Sequence, residues 1–160
     1  MDDILTFTKD ATRWLSNMAF VDIEHDGIVY VATENFYQAM KYNAGDYGNL
    51  PDGTTVNVRE FISKLPPVQS KKFSRENPMT NEFFEFNKVH IMLTAQRKKF
   101  AQEPFRSKLL ATGNAHLEEG NWWGDSFWGV DIKTRKGFNH LGKIIMSVRD
   151  ELKLQEKLNA

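Results

Sequence analysis

The chain has 160 residues, 41% of them hydrophobic and 26% charged, with Lys plus Arg and Asp plus Glu balanced at 21 each. That length fits one domain with its own core, the even charge argues against a dense basic footprint on nucleic-acid phosphates, and no run of about 18 apolar residues is there to span a membrane. Cysteine is absent and the opening Met1-Asp2-Asp3-Ile4-Leu5 has neither part of a secretory leader, so a soluble, cytoplasmic protein without disulfides is expected.

Residues 18 to 32 read as two short strands around His25-Asp26-Gly27, where Asp-Gly supplies the positive φ of a tight hairpin. Thr33 is a candidate N-cap for a helix through ENFYQAMKYNA, with Gly45 as its stop. The Gly-, Asn-, Asp- and Pro-rich residues 45 to 57 read as a loop, followed by a short helix at VREFISKL that Pro66-Pro67 ends. Residues 66 to 80 carry no clear signal. Thr80 would then cap a long helix through NEFFEFNKVHIMLTAQRKKFAQ, with Val89, Met92, Leu93, Gln96 and Phe100 as its core stripe. Pro104 suits the first turn of FRSKLLA, which Thr112-Gly113 ends. Asn139 is a candidate cap for the last helix, whose apolar side is Leu141, Ile144, Ile145 and Val148.

Two constellations could carry chemistry. Glu34, Gln38 and Lys41 fall at i, i+4 and i+7, so a carboxylate, an amide and an amine share one stripe of the helix after the hairpin. An ordinary solvated helix face has the same spacing. The second is GNWWGDSFWGVD, residues 120 to 131, with three tryptophans, two aspartates and three glycines. An indole can stack on a flat heterocycle while a nearby carboxylate orients a sugar hydroxyl or stabilises charge at an anomeric carbon. Trp128 with Asp125 fits that use, and packing of the loop onto the core is the competing reading. His25, His90, His116 and His140 lie too far apart for zinc-ligand spacing, and there is no GxGxxG, Walker A or GxSxG motif. No metal and no cofactor are expected.

Taken in order, Leu15-Ser16-Asn17, TENFYQAMK at 33 to 41, Phe84 with Lys88 and Met92, KKF at 98 to 100, LLATG at 109 to 113, DSFWG at 125 to 129 and GFNHLGKIIMSVR at 137 to 149 resemble the YbiA-like, or NADAR, family. The resemblance runs over roughly residues 13 to 152. It implies an α+β fold, mostly helical with a small antiparallel sheet, forming a single domain over 1 to 160. It also implies an N-glycosidase, a hydrolase that cleaves the bond between a phosphorylated ribose and an amino-bearing base. The substrates implied are phosphoribosylamino-pyrimidine intermediates of riboflavin synthesis, or ADP-ribose carried on guanine, including guanine in nucleic acid.

Carried over by position, the resemblance makes Glu34, Lys41 and Asp125 catalytic and Ser16, Asn17, Gln38, Arg75, Phe84, Trp128 and Asn139 substrate-binding. The partner is then a small nucleotide-like molecule or an ADP-ribosylated guanine, with no membrane. Trp122 and Trp123 match no family motif and revert to packing. Phe84 stands where many members have tryptophan, losing the indole N–H, and Ser74-Arg75 stands where members have Gly-Arg. A module that binds ADP-ribose or nucleotide without turnover is the alternative function, and the joint presence of Glu34, Lys41 and Asp125 favours the enzyme. A protein that stacks unpaired bases needs basic residues among its aromatics, and residues 120 to 131 have none.

Overall fold

The computed structural model describes residues 1–160 as an α+β fold of six helices and three two-stranded sheets. Two units are distinguished, one of residues 17–95 and one of residues 1–16 with 96–160. No helix is long and apolar enough to cross a membrane.

In the 17–95 unit, Asp26 and Gly27 take φ of 50° and 79° and turn β1 (Phe20–His25) onto β2 (Ile28–Ala32) in antiparallel register. These are the conformations that the Asp-Gly pair was expected to supply. Val21, Ile23, Tyr30 and Ala32 point inward from the two strands. Helix α1 (Thr33–Ala39) follows at once. Thr33 is its first residue and not its cap, because its hydroxyl donates to the carbonyl and side-chain oxygens of Asn17. The helix also stops short of Gly45. Beyond Met40 the Asp46 carboxylate accepts the Asn43 N–H and the Asn57 amide donates to the Ala44 carbonyl, bonds that hold the chain in a turn.

Residues 45 to 57 are not a plain loop: β3 (Tyr47–Asn49) and β4 (Thr55–Asn57) pair across a turn at Gly53, φ 86°. Their polar composition hid the strands. Asn57 caps α2 (Val58–Ser63) by accepting the Glu60 N–H. The prolines that end this segment begin the next one, since Pro67 occupies the first turn of α3 (Pro67–Glu76), where its missing N–H costs nothing. Pro67, Ser70 and Ser74 form the buried row of α3.

Helix α4 (Glu82–Phe100) has residues in both units. Asn81 takes the capping role expected of Thr80, its side chain accepting the Phe84 N–H at 3.0 Å. The buried stripe runs through Met92, Gln96 and Phe100, whereas Val89 is exposed because the inward face lies on the Ala95 and Lys99 side of it.

In the other unit, Ile4 bridges to Leu117 and a 3-10 turn covers Arg13–Leu15. Helix α5 (Phe105–Ala111) follows Pro104 and ends at Thr112, with Gly113 at φ 61°. Strand β5 (Gly120–Asn121) pairs in parallel with β6 (Val130–Asp131). Helix α6 (His140–Leu158) buries Leu141, Ile144, Ile145 and Val148, the side read from its periodicity. Trp122 and Trp123 do not plug a core: they are 67% and 46% exposed and meet edge-to-face at 5.0 Å.

Candidate active site

Every residue of α1 is buried, including Glu34, Asn35 and Gln38. A solvated face for the Glu34–Gln38 stripe is thereby excluded, since the two side chains belong to residues only 7% and 4% exposed. Enclosing polar groups is costly unless they are paired, and the structure pairs them: Gln38 Nε2 donates to Glu34 Oε1 at 2.8 Å. The Glu34 backbone N–H donates to the Asn17 carbonyl at 3.1 Å, and Asn35 Nδ2 donates to the carbonyls of Ile62 and Leu65, both at 2.8 Å. Asn17 itself is buried, its amide donating to Met92 Sδ. These bonds fix the start of α1 and with it the position of Glu34.

Gln38, Lys41, Arg75 and Phe84 line one cleft of about 340 Å³ in the 17–95 unit, together with Lys71 and Glu85. Lys41 lies just past the end of α1, where its N–H donates to the Gln38 carbonyl. Its Nζ stands 5.6 Å from the Tyr37 ring centre and 5.7 Å from that of Phe84. The two rings pack on each other at 5.2 Å, and Phe84 is buried as a wall of the cleft. Burial pushes the Lys41 ammonium below the ordinary lysine value. The carboxylates of Glu34 and Glu85 oppose that shift, and the charges of Lys71 and Lys88 reinforce it. The Gln38 Oε1 atom is buried without a hydrogen-bond partner.

The remaining candidates lie in the other unit. Asp125 Oδ1 accepts the N–H groups of Phe127 and Trp128 at 3.2 and 2.9 Å, an Asx-type turn, while the Asn121 amide donates to the Asp125 carbonyl. Trp128 is half-buried and meets Phe127 edge-to-face at 4.8 Å. Gly129 lets the loop close: a Cβ there would run into the Glu119 carbonyl. Asn139, at φ 51°, uses its side chain to accept the Glu119 N–H and to donate to the Leu117 carbonyl. It caps no N–H of α6 with that side chain, because the His140 and Leu141 N–H groups donate to the Phe127 and Trp128 carbonyls. The Ser16 carbonyl accepts from Lys99 Nζ at 2.8 Å.

Lys71 and Glu85 were missed from the sequence. Lys71 shares a helical row with Arg75, a signal that needed residues 66 to 80 to be read as helix.

A NADAR domain model matches residues 6–153. The chain is 30% identical over 162 residues to the N-glycosidase YbiA of Escherichia coli strain K12, spanning 97% of this chain and 92% of that protein. It is 31% identical over 140 residues to an N-glycosidase of Nostoc punctiforme, spanning 86% and 84% of the two. A riboflavin biosynthesis protein of Vibrio vulnificus is 31% identical over 143 residues, 87% of this chain and 35% of that one. The NMR structure of Escherichia coli YbiA superposes with a TM-score of 0.77 at 29% identity, covering all of this chain and 90% of the other.

Proposed function

The chain belongs to the NADAR domain family and is a hydrolase of the N-glycosidase type, and we propose that it cleaves the C–N bond between a phosphorylated ribose and an amino-bearing base. The observation that carries this reading is the buried Glu34–Gln38 pair behind a cleft that holds a desolvated lysine. Enclosing a carboxylate and an amide beside a half-buried lysine is expensive for a fold and useful for chemistry.

Cleavage passes through an oxocarbenium-like state, which a carboxylate near the anomeric carbon stabilises. Glu34 has that role, and it assists water attack by taking the proton. Lys41 offers a covalent route to the same products. Ring opening passes the exocyclic N–H proton to the ring oxygen and leaves a C1=N bond to the base. The neutral Nζ adds to C1, two protons pass in turn from Nζ to the base nitrogen, the C1–N bond breaks, and the free amine departs from a C1=Nζ bond on the lysine. Water then hydrolyses the C=N bond, returning ribose phosphate and free lysine. Gln38 accepts a substrate hydroxyl or amine at Oε1, Arg75 faces the phosphate, and Phe84 offers an apolar wall. Within the other unit, Trp128 has an indole face suited to a base and Asp125 a carboxylate, and within the 17–95 unit Asn17 holds the start of α1 and with it Glu34.

Two substrate classes fit this chemistry: phosphoribosylamino-pyrimidines, favoured by the likeness to a protein named for riboflavin biosynthesis, and ADP-ribosyl-guanine, which the same cut would release. The test is a turnover assay with each, reading base and sugar release. One-to-one release from either supports the N-glycosidase. Tight binding of both without product would leave a nucleotide-binding module.

A further inference from the structure

The cleft beside Lys41 and Arg75 has a third basic group, Lys71, that the reaction above does not use. Helix α3 seats its small row Pro67, Ser70 and Ser74 in the interior, and this sets the direction of every other row. Lys71 and Arg75, four residues apart on the adjoining row, both line the cleft. Lys72, on the far side of that row, pairs with Glu76 at 3.8 Å, and both of these side chains are well exposed.

Beside Lys41, whose amine the covalent route needs neutral, Lys71 and Arg75 are the cations of the cleft, and the acid among its lining residues is Glu85. Glu85 is itself engaged by Lys88 at 3.3 Å. A concave site with this surplus of positive charge draws an anion, and more strongly a dianion. Arg75 brings a planar fork and Lys71 a compact ammonium, the two donors that suit phosphate oxygens.

We propose that Lys71 forms, with Arg75, the subsite that takes the phosphate of the substrate, and that Lys71 sets the preference for phosphorylated over unphosphorylated ribosyl compounds. This rests on the reading of the cleft as the site for a phosphorylated ribose. It adds a consequence for Lys41. Lys71 helps to push the proton off Lys41, so a phosphate held at Lys71 screens that push and returns basicity to the amine.

The experiment is calorimetric titration of the intact chain with ribose 5-phosphate, ribose and inorganic pyrophosphate, for wild type, Lys71→Met, Lys71→Arg and Lys72→Met. Wild type is expected to prefer ribose 5-phosphate over ribose, and Lys71→Met to lose about tenfold in affinity for ribose 5-phosphate and pyrophosphate with ribose unchanged, a factor of ten being one step on the affinity scale. Lys71→Arg should stay within about threefold of wild type and Lys72→Met should match it, the step again read on that scale. Equal affinity of Lys71→Met and wild type for ribose 5-phosphate overturns the proposal, as does a wild type indifferent to the phosphate. Because binding is read without turnover, a Lys71-dependent phosphate preference in a protein that cleaves neither substrate would sink the N-glycosidase reading alone. Cleavage with no Lys71 dependence would sink this inference alone.

Discussion

Gln38 spends its amide N–H on the Glu34 carboxylate at 2.8 Å and leaves its own Oε1 buried and unpartnered on the residue that lines the cleft. An unsatisfied buried acceptor costs roughly 1–3 kcal/mol, and a ligand donor that reaches it recovers that cost. Gln38→Leu removes this acceptor together with the Nε2 donor that pairs the Glu34 carboxylate. The variant should lose about 1–3 kcal/mol of stability from the carboxylate left unpaired, and KM for the ribosyl substrate should rise at least about tenfold. An unchanged KM would mean that substrate never reaches Oε1.

The pH dependence of turnover reports on Lys41. Its amine must be neutral to attack carbon, and burial holds its pKa below the ordinary lysine value. Activity should therefore rise with pH through that lowered pKa. Glu85 raises the Lys41 pKa, so Glu85→Gln should move the rising limb to lower pH. Movement to higher pH would contradict the assignment. Borohydride added during turnover should trap a sugar adduct on wild type and none on Lys41→Arg, read by mass spectrometry.

Lys99 gives a stability signature of a different kind. It is fully buried beside the Phe100 and Phe105 rings, donates to the Ser16 carbonyl, and desolvation pushes its pKa from 10.5 down to about 7. Between those two values the unfolded chain holds a proton that the folded chain does not, so this lysine makes stability rise with pH across that window. Below about pH 7 the full penalty of a buried ammonium is present. Denaturant titration of wild type against Lys99→Met should show a difference that changes by up to about 1.4 kcal/mol per pH unit from pH 7 upward. A pH-independent difference would show that Lys99 stays charged when folded.

Asp125 separates by charge and by hydrogen bonding. Asp125→Ala removes the acceptor that holds the Phe127 and Trp128 N–H groups and should lower stability by about 1 kcal/mol, as loss of a cap does. Asp125→Asn keeps an oxygen for those bonds. It should fold like wild type yet lose turnover by about 10²-fold or more, the scale a positioned carboxylate supplies. Full activity in Asp125→Asn would leave the residue with the loop-holding role alone.

Much of this site is legible in the chain itself, and the gaps have physical causes. Asp26-Gly27 announces its hairpin because few residue pairs accept two positive φ values. The spacing of Glu34 and Gln38 marks a stripe, but whether that stripe is solvated or enclosed depends on α2 and α3, which no local pattern encodes. Pro66-Pro67 ends one helix and starts another, and reading only the stop hid α3 and with it Lys71. Thr33 and Thr80 look like caps, yet the Thr33 hydroxyl goes to Asn17 and Asn81 does the capping of α4. The exposed Trp122–Trp123 pair shows the limit of inferring burial from aromatic character.

The most direct measurement is base and sugar release by Glu34→Gln set against wild type, with both proteins matched in thermal midpoint. Glutamine keeps an oxygen to accept the Gln38 N–H and removes only the charge, so the fold should persist. The account predicts turnover reduced by about 10²-fold or more, the scale of a positioned acid–base group. A folded Glu34→Gln that releases base and sugar at the wild-type rate would contradict it.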